Sequence, residues 1–217
     1  MKFIFLAIFL LMASTADATT WYADNSRPSD ASTCTQAQTL VSAKKTITAA
    51  LACVGAAGST SGAGHTVEVA AGTYTDTLVD KIPSGSSTSA VFTLKCATDL
   101  ACTLNPGSGV YGLGFGTASS YIEVRGFTTT TGPGWYLSGF TDSTHHHITF
   151  RNNDIAGNAD SMGIQSSGAS QVTVVGNLIH GHGSSCTGLG PGYCHGIYVA
   201  DMNQSWVIEN NDIYRSQ

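Results

Sequence analysis

Three segments late in the chain are near-copies of one another: ITFRNNDI at 148–155, VTVVGNLI at 172–179 and WVIENNDI at 206–213. A fainter copy, IEVRGF, occupies 122–127. Each sets two inward apolar residues around one outward residue, breaks sharply at Asn or Gly, and resumes with another apolar residue. The intervals from 122 to 148, 148 to 172 and 172 to 206 are 26, 24 and 34 residues, and the longest contains an insertion at 183–194. Period-two strands returning this often, with no helix between them, cannot bury their apolar faces alone, so each must stack on the next. The expected fold is all-β: a right-handed parallel β-helix, a solenoid of about six coils, with a short N-terminal capping helix. The hand follows from the rule for parallel crossovers. Six rungs at about 4.8 Å give a rod on the order of 29 Å long.

In such a coil Asn153, Asn177 and Asn211 fall at one corner of successive turns. Asparagine tolerates left-handed backbone, and its amide can bond to the copies above and below. Phe127 takes the equivalent place in the faint copy, so the ladder is expected to stop there. Shorter repeats at 163–165 and 196–199, with a looser match at 135–137, predict a second series of strands, and 67–69 and 91–94 extend the first series upstream.

The chain opens with Lys2, an apolar run over 3–12 and a small-x-small site at 16–18, the pattern of a secretory signal peptide. Ten apolar residues reach about half of a bilayer core as a helix. No later segment is apolar enough to span, so the mature chain is expected to carry no membrane span and to be exported. The domain reading is a signal peptide over 1–18, a leading segment with the capping helix over 19–66, and the β-helix over 67–217, truncated at its C-terminal side because Gln217 falls mid-coil.

Charged residues make up 11% of the chain and the net charge is −5, which argues against nucleic acid as a partner. Six cysteines in an exported chain are expected to be oxidised, and the favoured pairing is nearest-neighbour: Cys34 with Cys53, Cys96 with Cys102, Cys186 with Cys194. The capping helix is placed at 46–54, with Ile47, Ala50, Leu51 and Val54 on one face, Thr46 or Ser42 as its N-cap and Gly55 ending it.

The stretches WYAD at 21–24, Ser29-Asp30, KTI at 45–47, VEVAAGTY at 67–74 and IPSG at 82–85 resemble the start of secreted right-handed parallel β-helix proteins of the pectate-lyase superfamily. HGIYV at 195–199 and NNDIY at 210–214 are similar to its generic coil repeats. The resemblance covers nearly all of the mature chain and is carried by cap and corner residues, which speak to fold more than to activity. It implies a polysaccharide as partner, handled by a lyase, an epimerase, a hydrolase or a protein without catalysis. Lyases of the family use Arg or Lys as base, commonly with Ca²⁺ held by clustered acids. No dense acid cluster occurs in this sequence, so no cofactor is specified and the metal question stays open. The thin acidic echo at 158–160 disfavours hydrolysis.

Chemistry on a solenoid is expected where outward side chains line up on successive rungs. The repeats put Arg125, Arg151, Val175 and Glu209 in one outward column, and Glu123, Thr149, Thr173 and Val207 in the next. Two adjacent cations need an anion nearby. Glu123 can supply it, and so can the carboxylates of an acidic polysaccharide. The insertion offers a second candidate, since His180, His182 and His195 flank it beside Tyr198 and Asp201. They would converge as an acid/base group with Tyr198 or as a metal site. The resulting expectation is a uronate-directed β-eliminating lyase. Arg151, Arg125, His195 and Tyr198 are its catalytic candidates, and His180, His182, Asp201 and Glu209 contact the substrate. The alternative is a non-catalytic glycan-binding or adhesin-like rod. His145, His146 and His147 are read as a solvent-exposed turn, Trp206 as core, and Trp135 and Tyr136 as rings able to stack on sugars.

Overall fold

The computed structural model describes residues 18–56, 58–130, 134–138, 144–157, 162–182, 195–200 and 204–214. The predicted signal peptide, the 158–160 echo, the Cys186–Cys194 pairing and Asp201 lie outside the described residues, Ala18 excepted.

All strands within the three sheets run parallel. The first sheet stacks Thr20–Ala23, Thr66–Val69, Phe92–Cys96, Ser120–Arg125, His146–Arg151, Ser170–Val175 and Val207–Glu209. The second stacks Gly72–Tyr74, Cys102–Leu104, Phe127–Thr129, Asp154–Ala156, Leu178–His180 and Asp212–Tyr214. The third stacks Leu78–Val79, Leu113–Phe115, Trp135–Ser138, Ile164–Ser167 and Ile197–Ala200. Each turn of the chain visits the three sheets in that order. Five turns are therefore described in all three sheets and a sixth in two, while the leading strand Thr20–Ala23 adds a seventh rung to the first sheet alone. The fold is a parallel β-helix.

Inward columns fill its interior. Val67, Leu94, Val124, Phe150 and Val174 follow one another in register, and Leu113, Trp135 and Ile164 face them from the third sheet, all buried. Burying each such side chain contributes about 1.5–3 kcal/mol, and each fills space a rung above or below needs filled. Trp206 packs against this core, with its indole N–H donating to the Ala169 carbonyl at 3.0 Å, as the alternation predicts. Trp135 is also core, so only Tyr136 of that pair faces outward. Ile208 and Ile213 point inward by register yet are 46% and 44% exposed, because they sit on the last rung described.

The corner after the first sheet carries the expected ladder. Asn177 Oδ1 accepts from the Asn153 backbone N–H and side-chain amide, both at 3.0 Å, and Asn211 Oδ1 does the same for Asn177. The Asn153 carbonyl oxygen Oδ1 takes the Phe127 N–H at 3.0 Å, and the ladder ends there. One detail differs. The left-handed residue is the one before each ladder asparagine, Asn152, Gly176 and Asn210, with φ of 53°, 66° and 54°, and Gly126 before Phe127 at 77°. The ladder asparagines themselves turn inward, where their amides replace the backbone bonds that a corner leaves open.

Helix α1 (Ile47–Val54) packs on the strands Thr20–Ala23 and Thr66–Val69, at the start of the stack. Thr46 is its N-cap, accepting the Ala49 N–H at 3.1 Å, and Gly55 follows its last residue. Asp76 accepts from the Thr48 N–H at 2.9 Å, a carboxylate at the positive end of the helix. Cys34–Cys53 ties the leading segment to this helix, and Cys96–Cys102 closes the loop between the first and second sheets. No helix among the described residues is long and apolar enough to cross a membrane.

Candidate functional site

The outward face of the first sheet presents three columns side by side. Arg125 lies directly beside Arg151, with Lys95 on the rung before and Val175 and Glu209 on the rungs after. The adjoining column runs Thr93, Glu123, Thr149, Thr173 and Val207. Both columns have the membership the repeats predict, and the structure adds Lys95 and its partner Glu68, which pair closely.

Charge on this face is unevenly matched. Glu123 approaches Arg125 at 3.4 Å and Arg151 at 4.0 Å, so one carboxylate serves two guanidinium groups. Both arginines are solvent-accessible, at 41% and 43% of their side-chain surface. Pairs this exposed are screened and add little to stability.

A third column emerges where the chain enters the sheet. Tyr121, His147, Gln171 and Ser205 have φ of 55°, 55°, 53° and 57°, left-handed backbone held in four successive coils by residues with a Cβ. Such positions cost about 1–3 kcal/mol each and persist where the surroundings fix them. The kink turns Tyr121 and His147 so that their rings stack 4.5 Å apart, and together with Glu123, Thr149, Gln171 and Thr173 they line a shallow depression of about 190 Å³. His146 lies edge-on to Tyr121, and its Nδ1 is hydrogen-bonded to Nδ1 of His147 at 2.8 Å. Burial, then the neighbouring His147 and His145, pushes His146 below the usual histidine range. The triple histidine is thus not an exposed turn: His145 is buried, and His146 and His147 open a strand. Sequence reasoning missed Tyr121 and His147 as a pair, although each directly precedes an aligned isoleucine, Ile122 or Ile148.

The remaining candidates occupy other sheets. Tyr198 is outward on the third sheet, in the column of Gln165 and Tyr136, and His195 stacks on it at 5.5 Å. His180 is outward on the second sheet, where its Nε2 meets Asp154 Oδ1 at 2.9 Å and its ring lies flat against Tyr214. His182 is fully buried, with Nε2 on the Ile155 carbonyl at 3.0 Å, and burial pushes it below its ordinary pKa. Its ring fills the space that a side chain at Gly157 would need. The structure therefore joins Arg125 with Arg151, and His195 with Tyr198, but puts the two pairs on different sheets. The three histidines flanking the insertion sit in three distinct surroundings. Among the described residues, no group of three or more His, Cys, Asp or Glu could hold a metal ion. Asp154 and Asp212 are two rungs apart on the second sheet, with Leu178 between them.

The chain matches no family model, and comparison with curated proteins and with solved structures gave no match.

Proposed function

We propose that this protein is an exported β-helix that binds an acidic, uronate-containing polysaccharide on the outward face of its first sheet. Its kinship is with the pectate-lyase superfamily that its leading motifs resemble. The reading rests above all on the count of charges on that face: Arg125 and Arg151, one rung apart, share the single carboxylate of Glu123. At 4.0 Å, Arg151 is beyond hydrogen-bond reach of that carboxylate, so its fork is available for another. A uronate carboxylate lying across the two arginines would complete the set, and Tyr121 and His147 beside them offer ring surface to a sugar. Export is supported by the sequence of 1–18 and by two disulfides in the described residues.

Binding is preferred to catalysis because His195 and Tyr198 belong to a different sheet from the arginines. Elimination from the same glycan is a second reading, favoured by one observation. Glu123 and His147, two protonatable groups, line the depression next to the arginines. A lyase needs a base for the proton beside the carboxylate and a cation for the charge that develops.

The test is retention of the mature protein on immobilised pectate, alginate and chondroitin, with ultraviolet detection of unsaturated uronate products. Retention without product is expected, and Arg151→Ala weakens it about tenfold. Product that disappears with Arg151→Ala or His147→Ala would favour elimination. Neither retention nor product on any of the three polymers overturns both readings.

A further inference from the structure

We infer that the outward face of the third sheet is a second saccharide surface, built for an uncharged pyranose chain and independent of the arginine face. Its central column runs Gly114, Tyr136, Gln165 and Tyr198 on successive rungs. Tyr136 leans along the rod over Gly114, so closely that a Cβ on Gly114 would come within 2.1 Å of its ring. The missing side chain is what lets the tyrosine lie down on the sheet. Tyr111 then braces it edge-on, with ring centroids 4.6 Å apart. Two rungs further on, Tyr198 is held in the same way from the side by His195, stacked at 5.5 Å. The two tyrosines are thus immobilised by neighbours before any ligand arrives, which lowers the entropic cost of binding to them.

Chemistry selects the occupant. The two tyrosines stand two rungs apart, on the order of 10 Å between their backbones, and the Tyr136 ring reaches back over Gly114, so the platforms span about two to three sugar units. Gln165, on the rung between them, supplies one donor and one acceptor for ring hydroxyls. Tyrosine pairs an apolar face, suited to the C–H side of a pyranose, with a hydroxyl for its polar rim. The column has no arginine or lysine, and burial, then the charge of Asp80 and neighbouring Tyr111, raises the Tyr136 pKa above its ordinary value. None of the four column residues offers a polyanion a fixed positive charge, so the match is a neutral glycan, in contrast to the first sheet.

Linear hexaoses of glucose, xylose and mannose, titrated calorimetrically into the full mature protein, test the inference. At least one is expected to saturate. Tyr136→Ala and Tyr198→Ala should each weaken it about threefold to tenfold, while Tyr136→Phe keeps most of the affinity. Gly114→Ala is the sharper variant: it removes no aromatic ring but lifts Tyr136 off the sheet, and should cost as much as Tyr136→Ala. Denaturant midpoints identify any variant that fails to fold, and Tyr136→Phe then carries the test with Tyr198→Ala. Failure of all three hexaoses to saturate the wild type, or saturation unchanged in the Tyr136→Ala/Tyr198→Ala double variant, overturns the inference. Uncharged probes are used throughout, so failure here leaves the acidic-glycan reading standing, and the reverse also holds.

Discussion

Asn177 is bound through both ends of its amide. Its oxygen accepts two bonds from Asn153, and its nitrogen donates to the carbonyl of Phe150 and to Asn211, all within the buried corner. Removing the amide strands polar groups on two neighbouring rungs, each costing about 1–3 kcal/mol when left unsatisfied. Asn177→Ala is therefore expected to destabilise the protein by about 3 kcal/mol, read from its urea unfolding curve. Asn152→Ala is the control. That residue supplies left-handed backbone, at φ 53°, and one long, exposed bond from its side-chain amide to the Asp99 carboxylate at 3.5 Å, so its loss should cost about 1–2 kcal/mol. Histidine makes a separate prediction. Burial lowers the pKa of His182 in the folded protein below its ordinary 6.5, and His146 is shifted the same way. Just below 6.5 the unfolded chain then holds more protons than the folded one, so stability is complete above that pH and falls as pH drops through the window beneath it. The urea midpoint should hold level down to about pH 6.5 and decline from there towards about pH 5.5, less steeply in His182→Gln.

The two described disulfides close loops of different length, with sequence separations of 19 for Cys34–Cys53 and 6 for Cys96–Cys102. Loop-closure entropy gives about 3 kcal/mol for the first and about 2.4 kcal/mol for the second. Paired Cys→Ala replacements should follow that order in thermal unfolding, with the first also loosening helix α1 from the leading segment. At this scale the first sheet was readable because its strands alternate isoleucine and valine with outward residues over six positions, as in Ser120–Arg125 and Ser170–Val175. The strands of the second sheet are three residues long, too short to show a period, so the repeats reveal their inward residues Ile155, Ile179 and Ile213 but not a separate sheet. Thr20–Ala23 was read as part of a cap because its partner, Thr66–Val69, lies far away in sequence. The candidate site divides along the same line. Side-by-side placement of Arg125 and Arg151 follows from counting repeats, whereas the count carries no information about which sheet Tyr198 shares with them. Tyr121 and His147 escaped because their pairing depends on a left-handed kink that composition does not announce.

Seen as a whole, the molecule sets a small cationic strip within an acidic background. The chain carries a net charge of −5, while the strip from Lys95 to Arg151, with Glu209 a further two rungs on, holds Lys95, Arg125 and Arg151 against Glu68 and Glu123, a local excess of one positive charge. A polyuronate sees these two fields at different ranges. At about 0.01 M salt the screening length is roughly 30 Å, so the approaching polyanion feels the whole negative protein and is repelled. At about 0.1 M it is roughly 10 Å, close to the span from Lys95 to Arg151 across two rungs, and only the strip remains in view. At about 1 M it shrinks to roughly 3 Å and the strip is screened as well. Affinity for pectate or alginate should therefore rise from the lowest salt to an intermediate maximum and then fall. Arg151→Ala removes the local excess, so the maximum should flatten and leave affinity low throughout. Uncharged hexaoses on the third sheet should show no such dependence, since stacking on Tyr136 and Tyr198 involves no net charge. Calorimetric titration of both ligand types at these three salt concentrations checks the pair of expectations. A monotonic fall from the lowest salt would mean that the strip outweighs the background at every range, and would overturn this expectation.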